Sequence, residues 1–174
     1  MEVPGKVKKI IWRALHGVIP STSIIASRHI KVSAECPICM AGAEDIRHLL
    51  FTCLRAKEVW NALGLSNFVE QAVIGEYSGS TILEDIMCMP KQFTPVLGSL
   101  KIQELIAVAC WYIWWQRREI VKGESVADPS RTSFAINALT ANFIPAASSK
   151  VKLKECQWQK PASGCYKLNT DAFF

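Results

Sequence analysis

Three cysteines and one histidine fall within eighteen residues as Cys36-x2-Cys39-x8-His48-x4-Cys53, and this spacing constrains the chain more than any other feature. Structural zinc sites take four thiolate or imidazole ligands in a closed tetrahedron. The first pair suits a tight turn, where two thiolates converge on one ion. The second pair carries a geometric demand. Five residues along a straight helix rotate a side chain by about 140°, so His48 and Cys53 cannot face one ion from an unbroken helix. A helix entering through Glu44 and Asp45 must break near Phe51 and Thr52. A second helix then begins after Cys53, where its N-terminal partial charge favours bound thiolate. Four protein ligands leave no open position, and no Glu stands in a zinc-protease helix motif. The competing reading is three small core cysteines and a surface histidine, which the compact spacing disfavours.

The rest of the cysteine count supports a metal over disulfides. Seven is an odd number, and Met1 to Lys6 lack the apolar core of a secretory signal. A reducing compartment is the expectation, and clustered cysteines there read first as ligands. Cys88, Cys110, Cys156 and Cys165 show no ligand spacing. The longest apolar run, Ile106 to Trp115, has ten residues, too short to span a bilayer.

Apolar residues recur at helical period through most of the chain. Val7, Ile10, Ile11, Ala14, Leu15 and Val18 form one stripe, ended by Gly17 and Pro20. Pro20-Ser21-Thr22 reads as a fresh cap, with a short helix to about His29 and Ile24 and Ile25 facing inward. After Cys53, Ala56, Val59, Trp60 and Leu63 mark a helix stopped by Gly64. Residues 65–99 read as a variable linker: Gly75, Ser78, Gly79 and Ser80 suggest a loop, and Ile82 to Met87 a short helix. Residues 100–122 leave little polar face, as expected of a helix buried against others. Arg117, Arg118 and Lys122 sit in its last turns, where they complement the helix dipole, and Gly123 follows. A further helix is expected from Pro129 to about Phe143, then a linker near Pro145. Val151, Leu153 and Tyr166 to Asn169 alternate like strands.

Net charge is +5, and its distribution says more. Residues 1–60 hold nine Lys and Arg against five acids, residues 61–100 one against four, and residues 101–174 ten against six. Two basic regions flank an acidic middle, which permits nucleic-acid binding without demanding it. The candidate surface is Lys8, Lys9, Trp12, Arg13 and Arg28, with Arg47, Arg55 and Lys57 near the metal. The cations would neutralise phosphates, and Trp12 would stack on an exposed base. The plainer alternative is a solvated helix face with Trp12 packed on a neighbour.

Trp12-Arg13-Ala14-Leu15, Ile19-Pro20-Ser21-Thr22, Arg28, Cys36-Pro37-Ile38-Cys39, Glu44-Asp45, His48-Leu49-Leu50, Cys53 and Val59-Trp60 follow one another in order. This series resembles the reverse transcriptase zinc-binding domain of plant non-LTR (LINE-type) retrotransposons, over roughly residues 6–64. Trp111 to Arg118 resembles the Trp-rich helix that often follows it, with Arg118 where the family usually has Asn. Trp158-Gln159-Lys160-Pro161, Gly164 and Lys167 to Ala172 resemble the first strand of a plant-type ribonuclease H. There Asp171 would match the first metal-binding carboxylate. Such enzymes hold two divalent ions between several carboxylates, and one carboxylate cannot do this.

The expectation is a mainly α chain. It has a small helical Cys3His zinc-binding domain (6–64), a variable linker (65–99), a helical extension with the Trp-rich helix (100–145), a second linker (146–157) and an orphan, truncated ribonuclease H-like strand (158–174). So small a zinc domain draws much of its folding free energy from the metal. The resemblance implies a retroelement-derived zinc module, without polymerase or nuclease activity, in nucleus or cytoplasm. Its expected partners are RNA or DNA, or a protein docked on exposed apolar helix surface, and not a membrane. In the second case the chain is a zinc-stapled scaffold or a remnant.

Overall fold

The computed structural model describes residues 1–75, 77–89, 96–97, 100–148 and 163–164. Within them the chain is mainly helical. Its elements are α1 (Gly5–Leu15), α2 (Thr22–Ser27), one π-helical turn (His48–Thr52), α3 (Leu54–Ala62), α4 (Ser66–Val73), α5 (Gly79–Cys88), α6 (Ile102–Val121) and α7 (Pro129–Ser148). A short antiparallel pairing, Val96 with Lys101 and Leu97 with Leu100, leads into α6. The strand expected over 158–174, Asp171 included, lies outside the described residues.

Helix ends follow the glycines. Gly17, Gly64 and Gly123 take φ of +66°, +71° and +85°, a left-handed conformation that glycine adopts without a Cβ penalty. The next N–H in each case returns to a carbonyl five residues back: Val18 to Arg13 at 2.8 Å, Leu65 to Trp60 at 2.9 Å, Glu124 to Glu119 at 3.0 Å. These bonds satisfy carbonyls that the helix end would otherwise orphan. Helix α2 is capped at Ser21, whose Oγ accepts the Ile24 N–H, but it stops at Ser27. Ile24 and Ile25 are half-buried rather than core. Helix α7 continues to Ser148, past Pro145, where the sequence suggests a linker. Pro145 falls in its last turn and has no N–H to give to the i−4 carbonyl, so the ladder there lacks one bond.

Helix α6 is the axis of the core. It packs against α1, the π turn and α7, and α7 also lies along α3. Leu105 to Cys110 are buried without interruption, which is why this stretch carries no polar face. Val7, Ile10, Ile11 and Ala14 of α1 and Ile82, Leu83 and Ile86 of α5 join the same cluster as Leu50, Phe51 and Trp60. The apolar length of α6 is thus covered by its own chain. Trp115, Val121 and Phe134 are exposed. No helix among the described residues is long and apolar enough to cross a membrane.

The described part of residues 65–99 carries α4 and α5, and α5 extends the short helix expected from Ile82 to Met87 back to Gly79. Ser78 caps α5 by accepting the Thr81 N–H at 3.2 Å, so Gly79 and Ser80 begin a helix instead of a loop. Ser80 Oγ donates to the Ala14 carbonyl at 2.6 Å, tying α5 to α1. Gly79 is buried against the chain that enters the π turn. A Cβ there would lie 2.3 Å from the Arg47 nitrogen and 2.5 Å from the Ile46 carbonyl carbon. Both are backbone atoms and cannot rotate away. Gly79→Ala is expected to destabilise the fold by about 1–3 kcal/mol, the usual cost of overpacking, as measured by denaturant unfolding.

Candidate metal centre

Two short segments deliver the four ligands. The first is a hairpin closed by the Glu35–Ala43 bridge, in which the Cys36 N–H donates to the Gly42 carbonyl at 2.9 Å and the Met40 N–H to the Cys36 carbonyl at 3.1 Å. Met40 and Gly42, both at positive φ, turn the chain sharply between these bonds. The second is the π turn. Asp45 starts it, accepting the His48 N–H on Oδ1 at 2.6 Å and the Leu49 N–H on its carbonyl at 2.9 Å. Cys53 ends it, donating its N–H to the His48 carbonyl at 2.8 Å. Cys53 itself is extended, at φ −56° and ψ 140°.

The break that geometry demands between His48 and Cys53 is therefore present, and its loose ends are used. In an unbroken α-helix the Leu54 N–H would meet the Leu50 carbonyl. Here Trp60 Nε1 donates to that carbonyl at 2.8 Å, and the Leu54 N–H donates to the Cys39 sulfur. The Ala41 N–H also reaches the Cys39 sulfur, and the Arg55 N–H reaches that of Cys53. The opening turn of α3 thus points backbone donors at two thiols, as thiolate ligands require.

The ligand atoms of Cys36, Cys39, His48 and Cys53 all lie within 4.8 Å of one another. Cys36 Sγ and Cys53 Sγ are 3.9 Å apart, and Cys39 Sγ lies 3.2 Å from His48 Nε2. With Zn–S at about 2.3 Å, a tetrahedron places two sulfurs roughly 3.8 Å apart. Donor types, number and spacing all fit zinc. His48 would bind through Nε2, and the closed ligand set makes the site structural.

Burial and hydrogen bonding pull the thiols apart. Burial pushes the Cys53 thiol up to about 12, against the Arg55 N–H, with the neighbouring Cys36 and Cys39 adding to the rise. Cys39 is also raised by burial, but the hydrogen bonds from Ala41, Cys36, Cys53 and Leu54 outweigh this and leave it below its usual value.

The other candidate residues separate into two groups. Lys8, Lys9, Trp12, Arg28 and Lys57 are exposed, and Arg13 is half-buried. Trp12 is 55% exposed and stacks on His16, with ring centroids 4.4 Å apart. Arg47 and Arg55 turn inward. Arg47 Nη2 donates to the Val73 carbonyl at 3.0 Å. Arg55 Nη2 reaches Gln116 Oε1, Thr132 Oγ1 and the Ala127 carbonyl, tying α3 to α6 and α7.

Two residues read differently in sequence and in space. Glu44 suggests a first-turn helix acid, yet it is fully buried before the helix starts. Arg117 suggests a dipole complement, yet its guanidinium is buried against Glu44, with Nε to Oε1 at 2.9 Å and Nη2 to Oε2 at 2.7 Å. Nothing local in sequence marks this pair. The one hint is a cation just beyond the long apolar run, on a helix with little polar face.

Comparison with known proteins agrees with the donor set. Residues 1–60 match the family model described as zinc-binding in reverse transcriptase. No curated protein and no solved structure matches the chain. The matched segment contains all four ligands and ends at Trp60, inside α3.

Zinc is expected to bind at one ion per chain, and chelation to reduce helicity and melting temperature. At free zinc 1,000-fold above Kd the ion adds about 4 kcal/mol of stability. The metal-free protein carries a pH signature of its own. A thiol whose pKa rises from 9.0 to about 12 on folding stabilises the fold fully below pH 9, and this contribution fades towards pH 12. Metal-free melting temperature should therefore fall between pH 9 and 12, less steeply in Cys53→Ala, and the zinc-loaded protein should lack this Cys53 contribution.

Proposed function

We propose that the chain is a retroelement-derived structural zinc module that holds single-stranded nucleic acid on the outer face of α1 and has no catalytic activity of its own. The observation that carries the binding surface is the exposed Trp12–His16 stack set among Lys8, Lys9 and Arg13, one helical turn apart on a single face. Aromatic rings flanked by cations suit single strands, because every base offers a π face and every linkage a phosphate. Arg28 adds an exposed cation at the end of α2. The metal's part is indirect: it would fold the hairpin that bonds to α2 and the π turn that packs on α6. The absence of catalysis is supported by the four-ligand site, which leaves no position for substrate, and by a family match confined to zinc binding. Descent from a LINE-type polyprotein rests on the residue series from Trp12 to Trp60.

A second reading, a zinc-stapled scaffold without nucleic-acid affinity, draws support from the inward turn of Arg47 and Arg55. These two would otherwise be the cations nearest the metal.

The readings separate in one titration. Labelled single-stranded RNA and DNA are titrated with the zinc-loaded full chain by fluorescence anisotropy at several salt concentrations. Log affinity should fall against log salt with a slope of about −0.7 per phosphate contacted. Trp12→Ala should weaken binding roughly 5- to 150-fold, the loss of about 1–3 kcal/mol of stacking, with zinc content unchanged. No salt-dependent binding in the wild type would leave the scaffold reading standing.

A further inference from the structure

The family match ends at Trp60, yet the loop that carries the zinc ligands is held from outside that boundary. Glu44 lies between Cys39 and His48, on the segment joining the two ligand pairs. It is wholly buried and fully engaged. Its carboxylate accepts both Arg117 bonds, at 2.9 and 2.7 Å, and the Thr22 N–H at 2.8 Å. Its own N–H donates to the Ala34 carbonyl at 2.8 Å, and its carbonyl accepts the Ser23 N–H at 3.3 Å. Thr22 Oγ1 in turn donates to the carbonyls of Ala34 and Glu35, at 2.8 and 3.1 Å. The incoming arm of the hairpin, its outgoing arm, the first turn of α2 and α6 thus meet at one residue, α2 and α6 at its carboxylate and the incoming arm at its backbone N–H. The hairpin bond from the Cys36 N–H to the Gly42 carbonyl lies just beyond this junction.

We propose that Arg117 and Glu44 are positioning residues for the zinc ligands, and that metal loading and docking of α6 are thermodynamically coupled through their ion pair. A buried carboxylate left without its cation is strongly unfavourable, so Glu44 keeps its place only while α6 supplies Arg117. Should Glu44 leave its pocket, the bonds that set the spacing of the two ligand pairs go with it. Linkage makes the effect reciprocal: zinc stabilises the docked α6 by the factor that docked α6 strengthens zinc binding. The working metal unit is then the zinc loop together with α6, and not residues 1–60 alone. Nucleic-acid binding plays no part in this coupling.

The test uses the full chain. Zinc affinity is measured by competition with a chromophoric chelator for the wild type, Arg117→Met, and the double variant Arg117→Met with Glu44→Gln. Arg117→Met is expected to lose about tenfold or more in affinity, on the scale of supporting groups around a metal site. The double variant should regain part of that loss, since the Glu44→Gln side chain is neutral and its amide oxygen still accepts the Thr22 N–H. Wild-type amide exchange, with and without chelator, gives a second readout that needs no variant. Protection across α6 should drop when zinc is removed. A folded Arg117→Met with wild-type zinc affinity overturns the proposal. Should Arg117→Met fail to fold, α6 protection that is indifferent to zinc in the wild type overturns it equally.

Discussion

His48 and Cys53 must reach the same point in space although a regular helix would turn them away from each other. The rest of the N-terminal half is arranged around that requirement. A π turn advances the backbone fewer degrees per residue than an α turn, and the extended Cys53 stops the helix outright. The cost of such a break is an unpaired carbonyl and an unpaired N–H near the core. Both are reassigned. Trp60 takes the Leu50 carbonyl, and Cys39 takes the Leu54 N–H. The second bond turns a defect of the backbone into part of the thiolate environment. Trp60 thus has two roles: it fills the core beside Phe51 and repairs the ladder that the ligand geometry interrupts.

The ligands alone do not hold this arrangement. A four-ligand site closes a loop, but the loop's arms need a fixed spacing before the ion arrives. Glu44, Thr22 and Arg117 supply it through polar contacts, with the Glu44 and Arg117 side chains buried. Burying an ion pair carries a large desolvation penalty, which bidentate geometry and additional hydrogen bonds offset. Its value here lies in direction. An apolar contact at the same place would tolerate sliding, whereas two parallel N–H to oxygen bonds admit one register between α6 and the hairpin. The surface cations are then divided by the same packing. Arg47 and Arg55, close to the metal in sequence, are consumed by carbonyls and side chains of neighbouring elements, whereas Lys8, Lys9, Arg28 and Lys57 stay exposed.

The helical skeleton was readable because its signals are local. The apolar stripe of α1, the cap at Ser21, the stop residues Gly17, Gly64 and Gly123 and the unbroken apolar stretch of α6 each act within a few residues of themselves. Helices α4 and α5 were harder. Gly79 and Ser80 carry loop chemistry in sequence, and only the Ser78 cap and the close approach of Arg47 show why a glycine opens α5.

The amino-acid sequence by itself determined the donor set, Cys36, Cys39, His48 and Cys53, and the need for a break between the last two. Ligand chemistry and the pitch of a helix are properties of short segments, so the spacing carries them without help from the rest of the chain. Tertiary structure alone decided which charges face water and which hold the fold. Glu44 and Arg117 are 73 residues apart, and no rule of local spacing relates them. Their pairing exists because α6, with almost no polar face, must be buried. A cation carried into that interior has to meet a carboxylate buried there with it.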